Sequence, residues 1–341
     1  MVAPTIRGEA MPPRQIPNDK PPEDVVLLVQ HHRSDYYMDR MRARFPKQRI
    51  VLVDAPGQLA SALESEKPDV VLAFRLPGQP YPKDLIFNAP SVKWVSATGA
   101  GIDHLVPWDD QRLMVTNASG IHAQAMSEYA VWAVLNQVLR MPMYARYQAE
   151  KVWKPHDALM AEGHVAMIVG LGRIGRMTAE RLKPFGVRTI GVRRSGAPDP
   201  AADETIGIDE MAARLPEADF VILILPSTPQ SRGLFDEAML ARMKPGAHLV
   251  NLARGPIVDE AAMIARLESG ALGSATLDVF NKEPLPAESP LWTTRNAILT
   301  PHVSGDVVEW QRLSAQLFME NFEGWLAGKP VFNLCSPAAG Y

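Results

Sequence analysis

Cysteine, net charge and long apolar runs are all scarce in this sequence, and each shortage excludes a class of protein. One cysteine, Cys335, among 341 residues excludes an internal disulfide framework and a zinc site built from cysteines, and we expect no metal. With 35 Lys and Arg against 38 Asp and Glu, the formal net charge is -3, so no nucleic-acid partner is expected. No segment approaches the roughly 20 consecutive apolar residues of a membrane span, so no membrane partner is expected either.

The N-terminal residues are polar and rich in proline, with Pro12-Pro13 and Pro21-Pro22. A secretory signal needs an apolar core of about 7–15 residues, and none is found there, so a cytoplasmic location is expected. The composition predicts a disordered extension outside the fold over residues 1–21.

Short apolar runs alternate with helical stretches along the rest of the chain. Continuous apolar strands separated by helices are typical of parallel sheets that are covered on both faces. The predicted fold class is therefore α/β with two doubly wound parallel-sheet domains, one over 22–119 and 304–341 and the other over 120–303. The predicted strands are Val25–Val29, Ile50–Val53, Val70–Phe74, Val92–Val95, Leu113–Thr116, Val165–Val169, Arg188–Val192, Phe220–Leu225, His248–Asn251, Ser274–Leu277 and Ala297–Leu299.

Long helices are predicted over His122–Arg140, closing before Pro142, and over Val307–Leu326. A polar connection that contains Trp153 is expected to follow the first of them. The Met and aromatic residues of His122–Met143 are interpreted chiefly as packing residues.

A glycine-rich turn follows the strand Val165–Val169 and opens a helix over Arg173–Phe185. The three glycines permit a tight turn, close approach of the backbone to a pyrophosphate, and close packing of helix on strand. The helix N-terminus then faces the phosphate charge. The context predicts a Rossmann dinucleotide site formed by Gly170, Leu171, Gly172, Arg173, Ile174 and Gly175.

The end of the next strand carries cations where such a site usually has a carboxylate. Arg188–Val192 runs into Arg193, Arg194 and Ser195, and no acidic residue occurs before Asp199. Guanidinium groups bind a 2′-phosphate by charge-assisted hydrogen bonds, whereas a carboxylate would repel it. We therefore predict NADPH as the cofactor, with NADH less favoured. The alternative is that these arginines are merely solvated on a surface loop.

Three polar segments follow three neighbouring predicted strands. They contribute Arg254, Glu283 and His302 at the strand ends, where an open sheet binds its ligands. A cation can neutralise a substrate carboxylate and polarise a carbonyl, and a protonated histidine with a carboxylate partner can deliver a proton. The combination suits reduction of a small 2-keto acid. Singly, each residue could instead be a surface ion-pair partner or a buried, hydrogen-bonded side chain.

In their order and surroundings these segments resemble the signature of the D-isomer-specific 2-hydroxyacid dehydrogenase family, with similarity from about Val92 to Leu326. The motifs are Asn251-Leu252-Ala253-Arg254-Gly255, Leu277-Asp278 through Glu283-Pro284, Thr300-Pro301-His302, Asn117-Ala118-Ser119-Gly120, Ser127-Glu128-Tyr129, Leu225-Pro226-Ser227-Thr228-Pro229 and Met243-Lys244-Pro245-Gly246.

The resemblance implies a flavodoxin-like substrate domain, a Rossmann cofactor domain and a role for each matching residue. Arg254 matches the substrate-binding arginine, His302 the acid/base, and Glu283 the carboxylate that favours its protonated form. Asp278 matches the aspartate near the nicotinamide carboxamide, and the motifs of Pro226 and Ala253 imply further cofactor contacts. Substrate-binding residues are expected at Thr98, Gly99, Ala100 and Gly101, whose amides can form an anion nest, and at Arg75.

The implied activity is NADPH-dependent reduction of glyoxylate or hydroxypyruvate to a D-2-hydroxy acid, by a homodimer associated through its cofactor domain. The chain departs from the family at Arg193 and after His302, where it reads Val303-Ser304-Gly305-Asp306 and Trp310 follows. The substrate side group is therefore open. A rival hypothesis is an NAD(P)-sensing binding protein of the corepressor type, because corepressors related to this family keep the same motifs.

Overall fold

The computed structural model describes residues 14–31, 35–55, 57–74 and 80–338, apart from the side chains of 35–37. The chain forms two compact units, one from residues up to 121 together with those from 308 onward, the other from His122–Val307. Each unit contains one parallel sheet with helices packed on it, so the predicted fold class is confirmed.

The first unit is a five-stranded sheet in the order β2-β1-β3-β4-β5, with every neighbouring pair parallel. This is the flavodoxin-like order. Strands β1, β3, β4 and β5 are almost wholly buried, which explains their continuous apolar sequences. The strands are β1 Val26–Gln30, β2 Arg49–Val53, β3 Val70–Ala73, β4 Trp94–Ala97 and β5 Met114–Thr116, and the helices are α1 Asp35–Arg44, α2 Gln58–Glu66 and α3 Lys83–Phe87.

The C-terminal helix returns to the core of the first unit. Phe318, Phe322 and Trp325 recur at the spacing of one helix face and are buried. The ring of Trp94 lies 5.4 Å from that of Phe318 and 5.6 Å from that of Trp325, measured between centroids. This helix begins at Trp310 and ends at Leu326, later than the predicted start at Val307, and in chain order it is α10.

Residues 14–21 correct the predicted N-terminal extension. The indole N–H of Trp325 donates to the carbonyl of Ile16 at 2.7 Å, and Val331 N–H donates to Gln15 Oε1 at 2.9 Å. Lys20 pairs with the buried carboxylate of Asp69 at 2.7 Å. The prediction of an extension outside the fold is therefore wrong for 14–21. Gln15 and Ile16 are held by residues more than 300 positions later in the sequence, and Lys20 is held by Asp69. Residues 1–13 lie outside the described part of the chain.

The second unit is a seven-stranded parallel sheet in the order β12-β11-β10-β9-β6-β7-β8. The order reverses between β6 and β9, and in open α/β sheets ligands bind at the carboxyl ends of the strands beside such a reversal. The strands are β6 Val165–Val169, β7 Arg188–Arg193, β8 Glu204–Gly207, β9 Phe220–Leu223, β10 His248–Asn251, β11 Ser274–Leu277 and β12 Ala297–Leu299. The helices are α4 Ala123–Val138, α5 Met141–Glu150, α6 Arg173–Leu182, α7 Ile208–Arg214, α8 Glu237–Ala241 and α9 Glu260–Ser269.

Two elements of this unit differ from the sequence-based expectations. The connection after α4 is helical, because Arg140 adopts a left-handed conformation (φ 57°) and Pro142 lies in the first turn of α5, where its missing N–H costs nothing. Strand β8 was not predicted. It lies at the sheet edge beside β7 and is polar enough, with Glu204 and Thr205, to resemble a loop.

Candidate active site

The glycine-rich turn links β6 to α6 through close backbone contacts. Gly170 has φ +107°, and a Cβ on it would lie 2.2 Å from the carbonyl oxygen of Ile224, at the end of β9. A Cβ on Gly175 would lie 2.2 Å from the carbonyl oxygen of Gly170. Apart from its chain neighbours and the adjoining helix backbone, no atom of the described residues lies within 4 Å of the Cβ position of Gly172, so space remains beside the helix N-terminus for a diphosphate. The residues here fit a dinucleotide.

The segment after β7 carries the predicted 2′-phosphate residues. Arg194 and Ser195 are exposed in a turn, and the Ser195 hydroxyl accepts a hydrogen bond from Ala197 N–H at 3.3 Å. The Arg193 guanidinium lies 3.4 Å from a carboxylate oxygen of Asp199. Asp199 also lies 3.3 Å from Nε of Arg176 on α6. Neither contact could be predicted from the sequence, because both depend on how the chain after β7 returns to α6.

The residues after β9 and β10 are held by their own hydrogen bonds. The carbonyl of Pro226 accepts from the Ser231 hydroxyl at 2.7 Å, and Ala253 N–H donates to Asn251 Oδ1 at 3.1 Å. Arg254 Nη1 donates to the carbonyl of Ala253 at 2.8 Å.

Gly255 fixes the chain next to Arg254. A Cβ at this position would lie 2.0 Å from the carbonyl carbon of Phe280, so a side chain would displace the segment that leads to Glu283. The close approach of Gly255 to Phe280 thus places Arg254 next to the loop after β11.

His302 and Glu283 form a hydrogen-bonded pair. His302 Nδ1 lies 2.8 Å from Glu283 Oε2, and the other oxygen of Glu283 accepts from Phe280 N–H at 3.0 Å. Thr300 O accepts from His302 N–H at 3.0 Å, which forms a three-residue turn centred on Pro301. Because the ionised carboxylate only accepts, Nδ1 carries a proton and Nε2 is the nitrogen left for a ligand.

The electrostatics of the pair favour a protonated histidine. The hydrogen bond to Glu283 raises the pKa of His302 above its ordinary value, against burial and the charge of Arg254, which lower it. Burial raises the pKa of Glu283, but the bonds from His302 and Phe280, with the charge of Arg254, hold it below its ordinary value. The side chains are 45% and 36% exposed, so solvent screens this coupling. Arg254 contributes to the field on both groups.

Asp278 is fully buried beneath the same loop. Its carboxylate accepts from the Thr300 hydroxyl at 2.6 Å and from the N–H groups of Val303 and Ser304 at 2.8 and 2.9 Å. Thr300 gives its one proton to Asp278, so the Tyr129 hydroxyl, 2.6 Å away, must donate to Thr300. Sequence reasoning missed Thr300 and Tyr129 as site residues, although both lie within the quoted motifs. The role implied for Asp278 at the carboxamide remains a prediction.

The first unit contains the predicted carboxylate-binding loop after β4. The carbonyls of Thr98, Gly99 and Ala100 accept hydrogen bonds from Ser314, Ala118 N–H and Asn117, respectively. A trans peptide points its C=O and N–H in opposite directions, so the N–H groups of residues 99–101 point away from these partners. That these N–H groups form an anion nest remains a prediction. Arg75 lies outside the described residues.

In the part of the chain that the structure describes, no group of three or more His, Cys, Asp or Glu side chains is arranged to hold a metal ion. Within the same residues, no helix has both the length and the apolar character needed to cross a bilayer.

A Rossmann-type sheet with this turn is the architecture of a dinucleotide-binding domain, and the comparisons with known proteins make it that of a nicotinamide-dependent oxidoreductase. Residues 131–304 match the family model for "D-isomer specific 2-hydroxyacid dehydrogenase, NAD binding domain". Glyoxylate/hydroxypyruvate reductase A of Serratia proteamaculans is 32% identical over 232 residues, covering 65% of this chain and 74% of that protein. The chain therefore belongs to the D-isomer-specific 2-hydroxyacid dehydrogenase family.

Solved structures of the family resemble the chain over most of its length. A D-isomer-specific 2-hydroxyacid dehydrogenase from Xanthobacter autotrophicus Py2, in complex with NADPH and MES, is 30% identical with a TM-score of 0.79, covering 92% of this chain and 99% of that one. An NADPH-dependent glyoxylate/hydroxypyruvate reductase from Sinorhizobium meliloti, in complex with NADP and sulfate, is 25% identical with a TM-score of 0.80, covering 93% and 100%.

Proposed function

We propose that this protein catalyses the NADPH-dependent reduction of a small 2-keto acid, of the glyoxylate or hydroxypyruvate type, to the D-2-hydroxy acid. The observation that carries the proposal is the 2.8 Å contact between His302 Nδ1 and Glu283 Oε2, with the charge of Arg254 acting on both groups. All three follow strands β10, β11 and β12, which are neighbours in the sheet that also carries the glycine-rich turn.

In this mechanism His302 is the general acid. Glu283 holds the ring through Nδ1 and stabilises its positive charge, so Nε2–H donates its proton to the substrate oxygen as that oxygen becomes negative. Arg254 binds the keto acid and polarises its carbonyl. NADPH, when bound, supplies the hydride.

Other groups are proposed to bind the two ligands. Residues 170–175 would hold the diphosphate, with Pro226, Ala253 and Asp278 as further cofactor residues. Thr98–Gly101 are proposed to bind the substrate carboxylate through backbone N–H groups. The preference for NADPH is supported by Arg193, Arg194 and Ser195 at the end of β7, where the sequence has no acidic residue before Asp199. It is also supported by the NADP(H) complexes of the Xanthobacter and Sinorhizobium proteins.

The choice of substrate is supported by the names of two relatives, the reductases of Serratia proteamaculans and Sinorhizobium meliloti. A homodimer formed through the cofactor unit is supported by a run of exposed apolar side chains on and after α4 and α5. Trp153 is 97% exposed, and so large an apolar surface in contact with water is typical of an interaction site. The members of this run are Trp132, Leu139, Met141, Val152, Trp153, Leu159 and Met160.

The test is a steady-state assay of NADPH oxidation with a panel of 2-keto acids, followed by absorbance. We expect turnover with glyoxylate or hydroxypyruvate and a higher kcat/KM with NADPH than with NADH. Equal or better efficiency with NADH would remove the cofactor preference. NADPH binding without turnover on any keto acid would contradict the enzymatic proposal and favour the binding-protein hypothesis.

A further inference from the structure

Asp199 is a buried carboxylate beside two arginines of the second unit. Its side chain is 6% exposed, and it follows the cationic turn after β7. One of its oxygens accepts from Ala201 N–H at 3.1 Å and lies 3.3 Å from Arg176 Nε, while the other lies 3.4 Å from Arg193 Nη1. Two guanidinium groups, from α6 and β7, thus share one buried carboxylate.

These contacts argue against Asp199 as an acceptor for a ribose hydroxyl. A carboxylate that selects NADH must present its oxygens to the ligand. Here both oxygens already bind groups of the protein, and burial keeps the side chain from the surface. The exposed members of the cluster are the cations: Arg176 is 50% exposed and Arg193 37%.

We infer that Asp199 is a positioning residue, which holds Arg176 and Arg193 as a pair for the 2′-phosphate, and that Arg176 is a further specificity-determining residue for NADPH. The inference rests on the proposed function, which assigned only Arg193, Arg194 and Ser195 to this phosphate. Arg176 immediately follows the last glycine of the diphosphate turn, so its α6 position and the β7 arginines approach one point from two elements.

The charge at this point suits a dianion. Three guanidinium groups and one carboxylate leave two positive charges in excess, and a phosphate monoester carries roughly -1.5 to -2 near neutral pH. Without Asp199 the arginines would repel each other and move freely at the surface. With it, two of them are oriented before the ligand arrives, so less side-chain entropy is lost on binding.

The experiment measures binding of two fragments that carry no nicotinamide, by isothermal titration calorimetry on the full chain. The fragments are adenosine 2′,5′-bisphosphate and adenosine 5′-monophosphate, which differ only in the 2′-phosphate. For Arg176→Met we expect about a tenfold loss of affinity for the bisphosphate, the size of one charge-assisted contact, and no change for the monophosphate. Unchanged bisphosphate affinity would overturn the role of Arg176.

Asp199→Asn keeps the shape of the side chain but presents an amide to the two guanidinium groups. We expect a loss of bisphosphate affinity of about tenfold, with monophosphate affinity retained. In the double variant with Arg176→Met, we expect a loss of binding free energy smaller than the sum of the losses in the two single variants. Tighter bisphosphate binding would show that Asp199 merely repels the phosphate, and equal losses for both fragments would show a merely structural role; either result overturns the inference.

Lys244→Met is the matched control. Lys244 is likewise an exposed cation of this unit, 2.6 Å from a carboxylate oxygen of Asp219, but Asp219 lies at the amino end of β9, whereas Arg193 lies at the carboxyl end of the parallel strand β7. We expect both fragment affinities to be unchanged in this variant.

The outcomes separate this inference from the proposed function. A wild-type chain that binds both fragments equally contradicts both. A wild-type preference that survives in both variants contradicts the inference alone. A preference that the variants lose, in a protein that reduces no keto acid, supports the inference and contradicts the proposed reaction.

Discussion

Glu283 and Asp278 are two carboxylates of one loop, and both bind the segment that carries His302, but in opposite environments. Glu283 is partly exposed and contacts the imidazole itself, whereas Asp278 is fully buried and contacts backbone N–H groups and a hydroxyl. An exposed carboxylate can raise the pKa of the imidazole without fixing much structure, because solvent screens the interaction between the two groups. A buried partner with three hydrogen bonds fixes structure. A carboxylate thus favours the protonated form of His302 in one case, and holds the backbone of the His302 segment in the other.

Removing the histidine should have the largest effect, because both carboxylates act through it. For His302→Ala we expect kcat for keto-acid reduction to fall by about 10³, the contribution of a positioned general acid. Circular dichroism and the melting temperature should stay close to wild type, since His302 is exposed. Near-normal turnover would exclude the acid role.

Asp278→Asn should come next, and it should affect stability as well as rate. An amide cannot accept all three hydrogen bonds, so a buried donor is left without its partner, at a cost of about 1–3 kcal/mol in the free energy of unfolding. Displacement of the His302 segment should lower kcat by up to about 10². Urea denaturation and steady-state kinetics measure the two effects.

Asp259→Asn is the control for Asp278→Asn. Asp259 caps α9 by accepting from Ala262 N–H, and asparagine caps a helix about as well as aspartate. We expect little change in rate or stability there. A wild-type unfolding curve for Asp278→Asn would contradict the structural role assigned to this carboxylate.

Glu283→Gln should have the smallest effect, and it should appear in the pH profile. Glu283 raises the pKa of His302, and reduction requires the protonated ring, so kcat/KM falls as pH rises through that raised pKa. Without the carboxylate this descending limb should move to lower pH, with a loss of about tenfold near neutrality. In the oxidative direction, which needs neutral His302, the ascending limb should move to lower pH as well.

Glu288→Gln, an exposed carboxylate later in the same loop, should leave the profile unchanged. If Glu283→Gln also left both limbs in place, Glu283 and His302 would not titrate as a coupled pair.

Elements with strong local signals could be predicted from the sequence. The strand Val165–Val169 was predicted with the bounds that the structure has, because it is a continuous apolar run that is almost wholly buried in a parallel sheet. The strands His248–Asn251, Ser274–Leu277 and Ala297–Leu299 also have their predicted bounds. Strand β8 escaped prediction because an edge strand has one neighbour and tolerates polar residues. Pro142 was interpreted as a stop although it also suits a helix start.

The residues of the candidate site differ in the same way, because some have a local sequence signal and others do not. Arg254, Glu283 and His302 could be predicted as one group because each follows a recognisable strand, and the carboxyl ends of neighbouring parallel strands lie on the same side of the sheet. The pairing of Asp199 with Arg176, and of Tyr129 with Thr300, depends on side chains from distant segments meeting in space. No spacing in the sequence reports such a meeting.

Strands β10, β11 and β12 are consecutive in the chain and adjacent in the sheet, so the cation, the carboxylate and the imidazole are encoded in one uninterrupted stretch, 251–304. Gene recombination that replaces the first unit, or strands β6–β8 of the second sheet, would leave this stretch unchanged. Hybrids of that kind could acquire a new substrate side group or a new dinucleotide while the proton-transfer groups stay together.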